Sequence, residues 1–166
     1  MKRAILYYGG QKSGKSRLAE TKALELANES KPYYIATYDN SYSDSEMHAR
    51  IARHRTQRGE RFHTLEAPLY LADAVRDNEV YLIDCISMWL LNTLTWDEAR
   101  LFEELDALFT KEATLVMVLN DVSRGVIPLE AMSRTYVDRS GIVGQYIARH
   151  CDEVYEVALG IAKRLK

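Results

Sequence analysis

Short apolar runs alternate along this chain with longer segments in which apolar residues recur at helical spacing. The runs are rich in β-branched and aromatic residues and are nearly continuous in hydrophobicity, which is typical of strands covered on both faces. They predict strands over residues 3–8, 32–37, 80–84, 114–119 and 153–157.

Helices are predicted between these strands, over residues 15–29, 45–58, 95 to about 109, and 129–150. Thr95 and Glu98 form a capping-box pattern, so Thr95 is the expected N-cap of the third helix. The fourth helix contains Gly141 and Gly144, where we expect a break or close packing. Strands that alternate with helices predict an α/β fold with a mainly parallel sheet and right-handed crossovers.

Composition narrows the class of protein. A length of 166 residues predicts one domain over residues 1–166, and 47% hydrophobic with 28% charged residues excludes a disordered or collagen-like chain. The net charge of −2 gives no general attraction to nucleic acid or anionic lipid. No apolar run reaches the ~20 residues of a membrane span, and the apolar N-terminal stretch is too short for a signal peptide, so we expect a cytoplasmic protein. Cys85 and Cys151 lie in apolar runs and are expected to be buried free thiols.

A glycine-rich motif follows the first predicted strand. Residues 9–16 match G-x-x-x-x-G-K-[ST] at every fixed position and open the first predicted helix, which is the context of a true P-loop. Backbone N–H groups of such a turn, together with the helix N-terminus, surround phosphate oxygens. Lys15 is expected on the β- and γ-phosphates as a catalytic cation, and the Ser16 hydroxyl is expected on Mg²⁺. The predicted nucleotide-binding residues here are Gly9, Gly10, Gln11, Lys12, Ser13, Gly14, Lys15 and Ser16.

Asp84 ends the apolar run of residues 80–84. A buried strand that ends in a carboxylate is typical of a Walker B aspartate, which holds Mg²⁺ or its water. The P-loop and Asp84 would both lie at the carboxyl edge of the sheet, where α/β proteins bind ligands. The sequence therefore predicts Mg²⁺ as cofactor, with Ser16 and Asp84 as its protein ligands.

Residues 46–63 carry five arginines and three of the four histidines of a chain that is slightly acidic as a whole. A histidine flanked by arginines can contact a triphosphate, or it can attack phosphorus and form a phosphoramidate. A solvated basic face explains the cluster equally well. Nucleic-acid binding is a third interpretation, but interleaved aromatic residues for base stacking are missing.

Several blocks of the chain, taken in order, point to one family. They are residues 9–20, 34–37, 46–58, 66–68, 82–92, 118–128 and 159–161. With these blocks the chain, from residue 5 to its C-terminus, resembles the bifunctional adenosylcobinamide kinase / adenosylcobinamide-phosphate guanylyltransferase family of cobalamin biosynthesis. It departs from the family pattern at Asp121, in place of glutamate, and at Ser123, in place of glycine.

The resemblance implies a P-loop NTPase (RecA-like) three-layer α/β fold with a mainly parallel sheet. It also implies two reactions: phosphorylation of adenosylcobinamide by ATP or GTP, and transfer of GMP from GTP to adenosylcobinamide phosphate through a GMP-histidine intermediate. The family pattern assigns that histidine to His54. It implies a homo-oligomer, a trimer; the charge and the apolar runs have already indicated no nucleic-acid partner and no membrane span. It adds nucleotide contacts at Ala36, Thr37, Tyr38, Arg55, Thr56, Gln57, Arg58, Glu66 and Asp84.

Two other functions stay open at this stage. An ordinary P-loop kinase of a small metabolite would use Lys15, Ser16 and Asp84 but would leave His54 without a role. A GTP-binding regulatory protein would need no small acceptor, yet the chain has no N-K-x-D guanine motif. Protein-bound label from the α-phosphate of GTP would argue against a plain kinase, and pyrophosphate release only in the presence of cobinamide phosphate would argue against a regulatory protein.

Overall fold

The computed structural model describes residues 2–39 and 59–166, in which the strands form one seven-stranded sheet of order β3-β2-β4-β5-β1-β6-β7. Strands β1 to β6 are parallel to their neighbours, and β7 runs antiparallel to β6. The strands are β1 Arg3–Gly9, β2 Tyr33–Ala36, β3 His63–Glu66, β4 Val80–Asp84, β5 Thr114–Asn120, β6 Glu153–Ala158 and β7 Ile161–Arg164.

The helices of these residues are α1 Lys15–Ala27, α2 Leu71–Ala74, α3 Ile86–Asn92, α4 Glu98–Thr110 and α5 Ala131–His150. In residues 2–39 and 59–166 we find no helix with the length and apolar character needed to cross a membrane. The helix predicted over residues 45–58 lies outside the described residues.

The sheet is buried on both faces, which explains its continuous apolar runs. Along β1, Ala4 and Leu6 join one apolar cluster while Ile5 and Tyr7 join the other. Helix α1 covers the second face, and helices α2 to α5 cover the first. The predicted three-layer α/β fold with a mainly parallel sheet is therefore confirmed.

The sequence did not predict the two edge strands. Strand β7 is exposed along its whole length and β3 is mostly exposed, so neither forms an apolar run. Edge strands are shielded on fewer sides than central ones, and the periodicity that identifies buried strands is weak in them.

The predicted start of α4 is wrong. The helix begins at Glu98, and its N-cap is Asp97, whose carboxylate accepts a hydrogen bond from the backbone N–H of Arg100 at 2.9 Å. Trp96 packs edge-on against Trp89, with ring centroids 6.3 Å apart, and is buried. Burial of this large ring in the core outweighs the local capping preference of Thr95.

Helix α5 runs without a break through both of its glycines. A Cβ atom on Gly144 would lie 3.1 Å from Cδ2 of Leu119, whereas one on Gly141 would meet no atom within 4 Å. The expected close packing is therefore confirmed at Gly144, where the helix approaches the end of β5.

Candidate active site

The predicted P-loop connects the end of β1 to the start of α1, at the carboxyl edge of the sheet. The backbone N–H of Ser13 donates to the carbonyl of Gly10 at 3.2 Å and closes the turn. Gly14 has a φ of 97° just before the helix, a conformation that L side chains rarely adopt. The loop therefore leads directly into the first turn of α1, whose N-terminal N–H groups are the kind of donors that bind phosphate in a P-loop.

Lys15 lies folded back over this loop. Its side chain is buried, and its Nζ donates to the carbonyl of Gly10 at 2.9 Å. The ammonium group is thus held at the mouth of the loop, where phosphate oxygens would approach it.

Asp84 and Ser16 come together from β4 and α1. The Ser16 hydroxyl lies 3.4 Å from Oδ1 of Asp84. A hydroxyl and a carboxylate side by side are oxygen donors of the kind that Mg²⁺ takes alongside substrate phosphates. The two predicted metal ligands are therefore adjacent, and their chemistry fits the ion.

Tyr34 fixes the other oxygen of that carboxylate. Its buried side chain donates from the hydroxyl to Oδ2 of Asp84 at 3.0 Å. In the parallel pairing Tyr34 lies opposite Leu82, two residues before Asp84 on the same side of β4. Sequence reasoning missed Tyr34 because its contact depends on the register between β2 and β4.

Strand β6 packs closely against the first residue of the P-loop. A Cβ atom on Gly9 would lie 2.3 Å from the carbonyl oxygen of Val157, so only glycine fits there. Gly10, the next residue, has no atom within 4 Å of its Cβ position. The first glycine of the motif is thus required by strand packing, in addition to any phosphate contact.

We expect Gly9→Ala to destabilise the apoprotein by about 1–3 kcal/mol, because the backbone carbonyl of Val157 cannot retreat from the added methyl group. Gly10→Ala is the matched control, and its melting temperature should stay close to that of the wild type. Thermal unfolding without nucleotide measures both. Equal melting temperatures for the two variants would contradict the packing argument.

The residues predicted at the ends of β2 and β3 occupy the same edge. Ala36 is in register with Glu66 on one side and with Asp84 on the other. Thr37 is fully buried; its hydroxyl donates to the Cys85 carbonyl at 2.8 Å and accepts from the Cys85 N–H at 3.0 Å. Its side chain thus fixes the end of β2 to the start of α3, and its carbonyl accepts from the Asn92 side-chain amide at 2.7 Å.

The two cysteines are free, and neither is a nucleophile at neutral pH. Burial, with the negative charge of Asp84, raises the pKa of Cys85 to about 11. Burial likewise raises the pKa of Cys151 to about 12. The prediction of a buried free thiol is confirmed for Cys151, whereas Cys85 is only partly buried.

Asp121, at the end of β5, closes a polar network beside the P-loop. Its N–H donates to the carbonyl of Gly9 at 2.8 Å, and its carboxylate accepts from Ser123 Oγ at 2.6 Å and from Arg124 Nε at 2.9 Å. Burial raises the pKa of Asp121, but the hydrogen bonds from Ser123 and Tyr8 and the charge of Arg124 outweigh it and lower the pKa overall. Asp121 and Ser123, which both depart from the family pattern, therefore bond to each other.

His54, Arg55, Thr56, Gln57 and Arg58 lie outside the described residues. Asp39 lies just beyond the carboxyl end of β2, and Gly59 is the first described residue after that segment. After that point, the Arg61 guanidinium pairs with Glu20 of α1 at 3.5 Å, and the buried Phe62 packs edge-on against Tyr34. The chain thus returns on the face covered by α1, next to the residue that holds Asp84.

Fold and site together define the class of P-loop nucleotide-binding proteins, since a buried lysine bonds back to its glycine-rich turn and the next residue, a serine, lies beside a strand-end aspartate at the carboxyl edge of the sheet. Residues 5–165 match the model of the family described as cobinamide kinase / cobinamide phosphate guanyltransferase. The chain belongs to this family, and it is a bifunctional kinase and nucleotidyltransferase of cobalamin biosynthesis.

Relatives cover nearly the whole chain. A bifunctional adenosylcobalamin biosynthesis protein CobP of Pseudomonas aeruginosa is 39% identical over 97% of this chain and 96% of its own length. The CobU protein of Escherichia coli is 33% identical over 98% of this chain and 99% of its own length. The flagellar accessory protein FlaH of Methanocaldococcus jannaschii is similar in fold only, with 16% identity and a TM-score of 0.52 over 99% of this chain and 78% of that one.

Proposed function

We propose that the P-loop carries the kinase step of this enzyme, in which the hydroxyl of adenosylcobinamide attacks the γ-phosphorus of ATP or GTP. The observation that carries the proposal is the buried Lys15 at the loop mouth, next to the Ser16–Asp84 pair. The new P–O bond forms as the bond to the β-phosphate oxygen breaks, the hydroxyl proton is released to solvent, and the nucleoside diphosphate leaves. Lys15 would offset the charge that develops on the transferred phosphoryl group and the leaving group.

For the second step we propose His54 as the nucleophile. A ring nitrogen of neutral imidazole attacks the α-phosphorus of GTP, pyrophosphate leaves, and a phosphoramidate forms. A phosphate oxygen of adenosylcobinamide phosphate then attacks the same phosphorus. The P–N bond breaks, adenosylcobinamide-GDP forms, and His54 is free again. The arginines of the segment, Arg55 and Arg58, would stabilise the leaving pyrophosphate.

For the GTP of the second step, the remaining nucleotide contacts are proposed at the ends of β2, β3 and β4. Glu66 carries a carboxylate that can accept from N1–H and the amino group of guanine, which would favour GTP in the second step. Ala36 and Tyr38 of the neighbouring strand end would contact the same nucleotide, as would Thr56 and Gln57. The alignment of Ala36 with both Glu66 and Asp84 supports this grouping.

The kinase and nucleotidyl steps are tested separately. The protein is incubated with Mg²⁺, ATP and adenosylcobinamide, and phosphorylated product is measured; GTP is then added, and pyrophosphate and adenosylcobinamide-GDP are measured. Pyrophosphate released with GTP and cobinamide phosphate supports the two-step proposal. Phosphorylation without any nucleotidyl transfer would favour a plain small-metabolite kinase, and hydrolysis independent of cobinamide would favour a regulatory protein.

We propose Mg²⁺ as the cofactor, held by Ser16 and Asp84 together with nucleotide phosphates; when bound, it neutralises phosphate charge. A homotrimer and a cytoplasmic location are further proposals from the family resemblance. Light scattering on the purified protein tests the trimer.

We expect Tyr34→Phe to raise the Mg²⁺ concentration for half-maximal kinase activity by about tenfold, because Asp84 loses the hydrogen bond that orients it. The ring and its contact with Phe62 are retained, so stability should change little. The measurement is a Mg²⁺ titration of kinase activity at fixed nucleotide.

Tyr33→Phe is the matched control, because Tyr33 stacks on Tyr81, in the cluster on the opposite face of the sheet from Tyr34. An unchanged Mg²⁺ requirement in Tyr34→Phe, or an equal shift in both variants, would exclude the orienting role of Tyr34.

A further inference from the structure

The turn between β6 and β7 rests on the second half of the P-loop. The backbone N–H of Gly160 donates to the carbonyl of Ser13 at 2.7 Å. A Cβ atom on Gly14 would lie 3.1 Å from Cα of Gly160, and one on Gly160 would lie 3.7 Å from a guanidinium nitrogen of Arg17. The turn is therefore in direct contact with the loop and with the first turn of α1.

Leu159 is the unusual residue of this turn. Ala158 pairs with Ile161, so Leu159 and Gly160 form a two-residue hairpin loop with φ values of 53° and 78°. Two positive φ values are typical of a type I′ turn, in which asparagine or glycine is preferred at the first position. Leu159 instead places an apolar side chain there, and 95% of its surface is exposed. Neither conformational preference nor burial in the core explains a leucine at this position.

The Leu159–Gly160 turn and Asp84 lie on opposite sides of the P-loop, and this arrangement indicates which part of a bound nucleotide could contact Leu159. In the sheet order β4-β5-β1-β6-β7, the Ser16–Asp84 pair marks the side of the P-loop toward β4, and the Leu159–Gly160 turn lies on the other side. Lysine and the metal ligands of a P-loop hold the β- and γ-phosphates. For a nucleotide bound there in the kinase step, the α-phosphate and the nucleoside would then extend away from Asp84, toward β6 and its turn, whereas the guanine contact proposed for Glu66 belongs to the GTP of the second step.

We propose that Leu159 is a positioning residue for the nucleoside of the triphosphate bound at the P-loop, with its side chain packed against the base or ribose. The inference rests on the proposed use of the P-loop in the kinase step. An apolar contact does not distinguish the hydrogen-bond donors and acceptors of adenine from those of guanine, so it would contribute equally to the binding of ATP and GTP. Loss of one partly covered leucine contact corresponds to about a three- to tenfold loss of affinity.

The test compares a nucleotide with its phosphate chain alone. Binding of the β,γ-imido analogue of ATP and of inorganic tripolyphosphate, each with Mg²⁺, is measured by calorimetry for the wild type, Leu159→Asn and Ile161→Thr. The ATP analogue keeps guanylyl transfer to histidine out of the measurement. Asparagine suits the turn, so the melting temperature of Leu159→Asn should equal or exceed that of the wild type. Ile161→Thr removes a second exposed apolar side chain of the same hairpin and is the matched control.

We expect Leu159→Asn to bind the ATP analogue about three- to tenfold more weakly while its tripolyphosphate affinity stays within about twofold of the wild type. Ile161→Thr should retain both affinities. Unchanged binding of the analogue by Leu159→Asn would overturn the inference, as would a parallel loss of both affinities with a lower melting temperature. If the wild type binds neither the ATP analogue nor tripolyphosphate, nucleotide binding at the P-loop is excluded, and the inference about Leu159 is excluded with it.

Discussion

Replacing His54 by alanine is expected to abolish covalent labelling of the protein by GTP that carries a label in its α-phosphate. The phosphoramidate cannot form without the imidazole, so formation of adenosylcobinamide-GDP should fall by about a thousandfold or more. Phosphorylation of adenosylcobinamide should continue, because Lys15, Ser16 and Asp84 are intact. In the wild type the label should be labile in acid and stable in alkali, as a phosphorus–nitrogen bond requires.

His63→Ala is the control for this experiment. His63 is the first residue of β3, where it is exposed and its ring lies 5.2 Å from that of Tyr33. The variant should retain full labelling. Label that survives in His54→Ala would keep nucleotidyl transfer but move the nucleophile to His48 or His63. The absence of label from the wild type, with GTP still bound, would exclude the covalent route.

Replacing Lys15 by alanine is expected to lower the kinase rate by about a hundred- to a thousandfold. The ammonium group is the buried cation at the P-loop mouth, and removal of one preorganised charge or donor from such a site typically has an effect of this size. The hydrogen bond from Nζ to the Gly10 carbonyl is lost as well, but the loop retains its backbone bonds to Gly160 and Asp121. We therefore expect the fold to survive and the melting temperature to change little.

The control is Lys22→Ala, on the same helix but outside the P-loop motif. Rates of adenosylcobinamide phosphorylation at saturating nucleotide should be normal for Lys22→Ala and low for Lys15→Ala. A Lys15→Ala variant with at least a tenth of the wild-type rate would contradict the electrostatic role given to this residue.

Elements covered on both faces could be predicted from the sequence, and those at the edges could not. Strand β4 was predicted to the residue, because four successive apolar residues and a terminal aspartate define both of its ends. Strands β3 and β7 are exposed, so their sequences resemble loops. The N-cap of α4 moved from Thr95 to Asp97 because Trp96 is drawn into the core, a contact that local propensity does not contain.

The candidate site divides in the same way. The P-loop is a contiguous motif in which the residue types follow from phosphate chemistry, and in the fold its Ser16 hydroxyl lies beside the carboxylate of Asp84. Tyr34 was missed because its contact with Asp84 joins residues 50 positions apart. Leu159 was quoted only as part of a family block, and nothing in its local sequence links it to the P-loop.

The fold class, the phosphate-binding loop and the family can thus be predicted from the amino-acid sequence. These features depend on local periodicity and on short motifs, which can be recognised without knowledge of distant contacts. The three-dimensional fold is needed to identify three groups around the site: the tyrosine that orients Asp84, the carbonyl of Val157 that excludes any side chain at Gly9, and the hairpin turn that contacts the P-loop. The order and register of the parallel strands bring these groups together, and crossover connections leave that order unspecified in the local sequence.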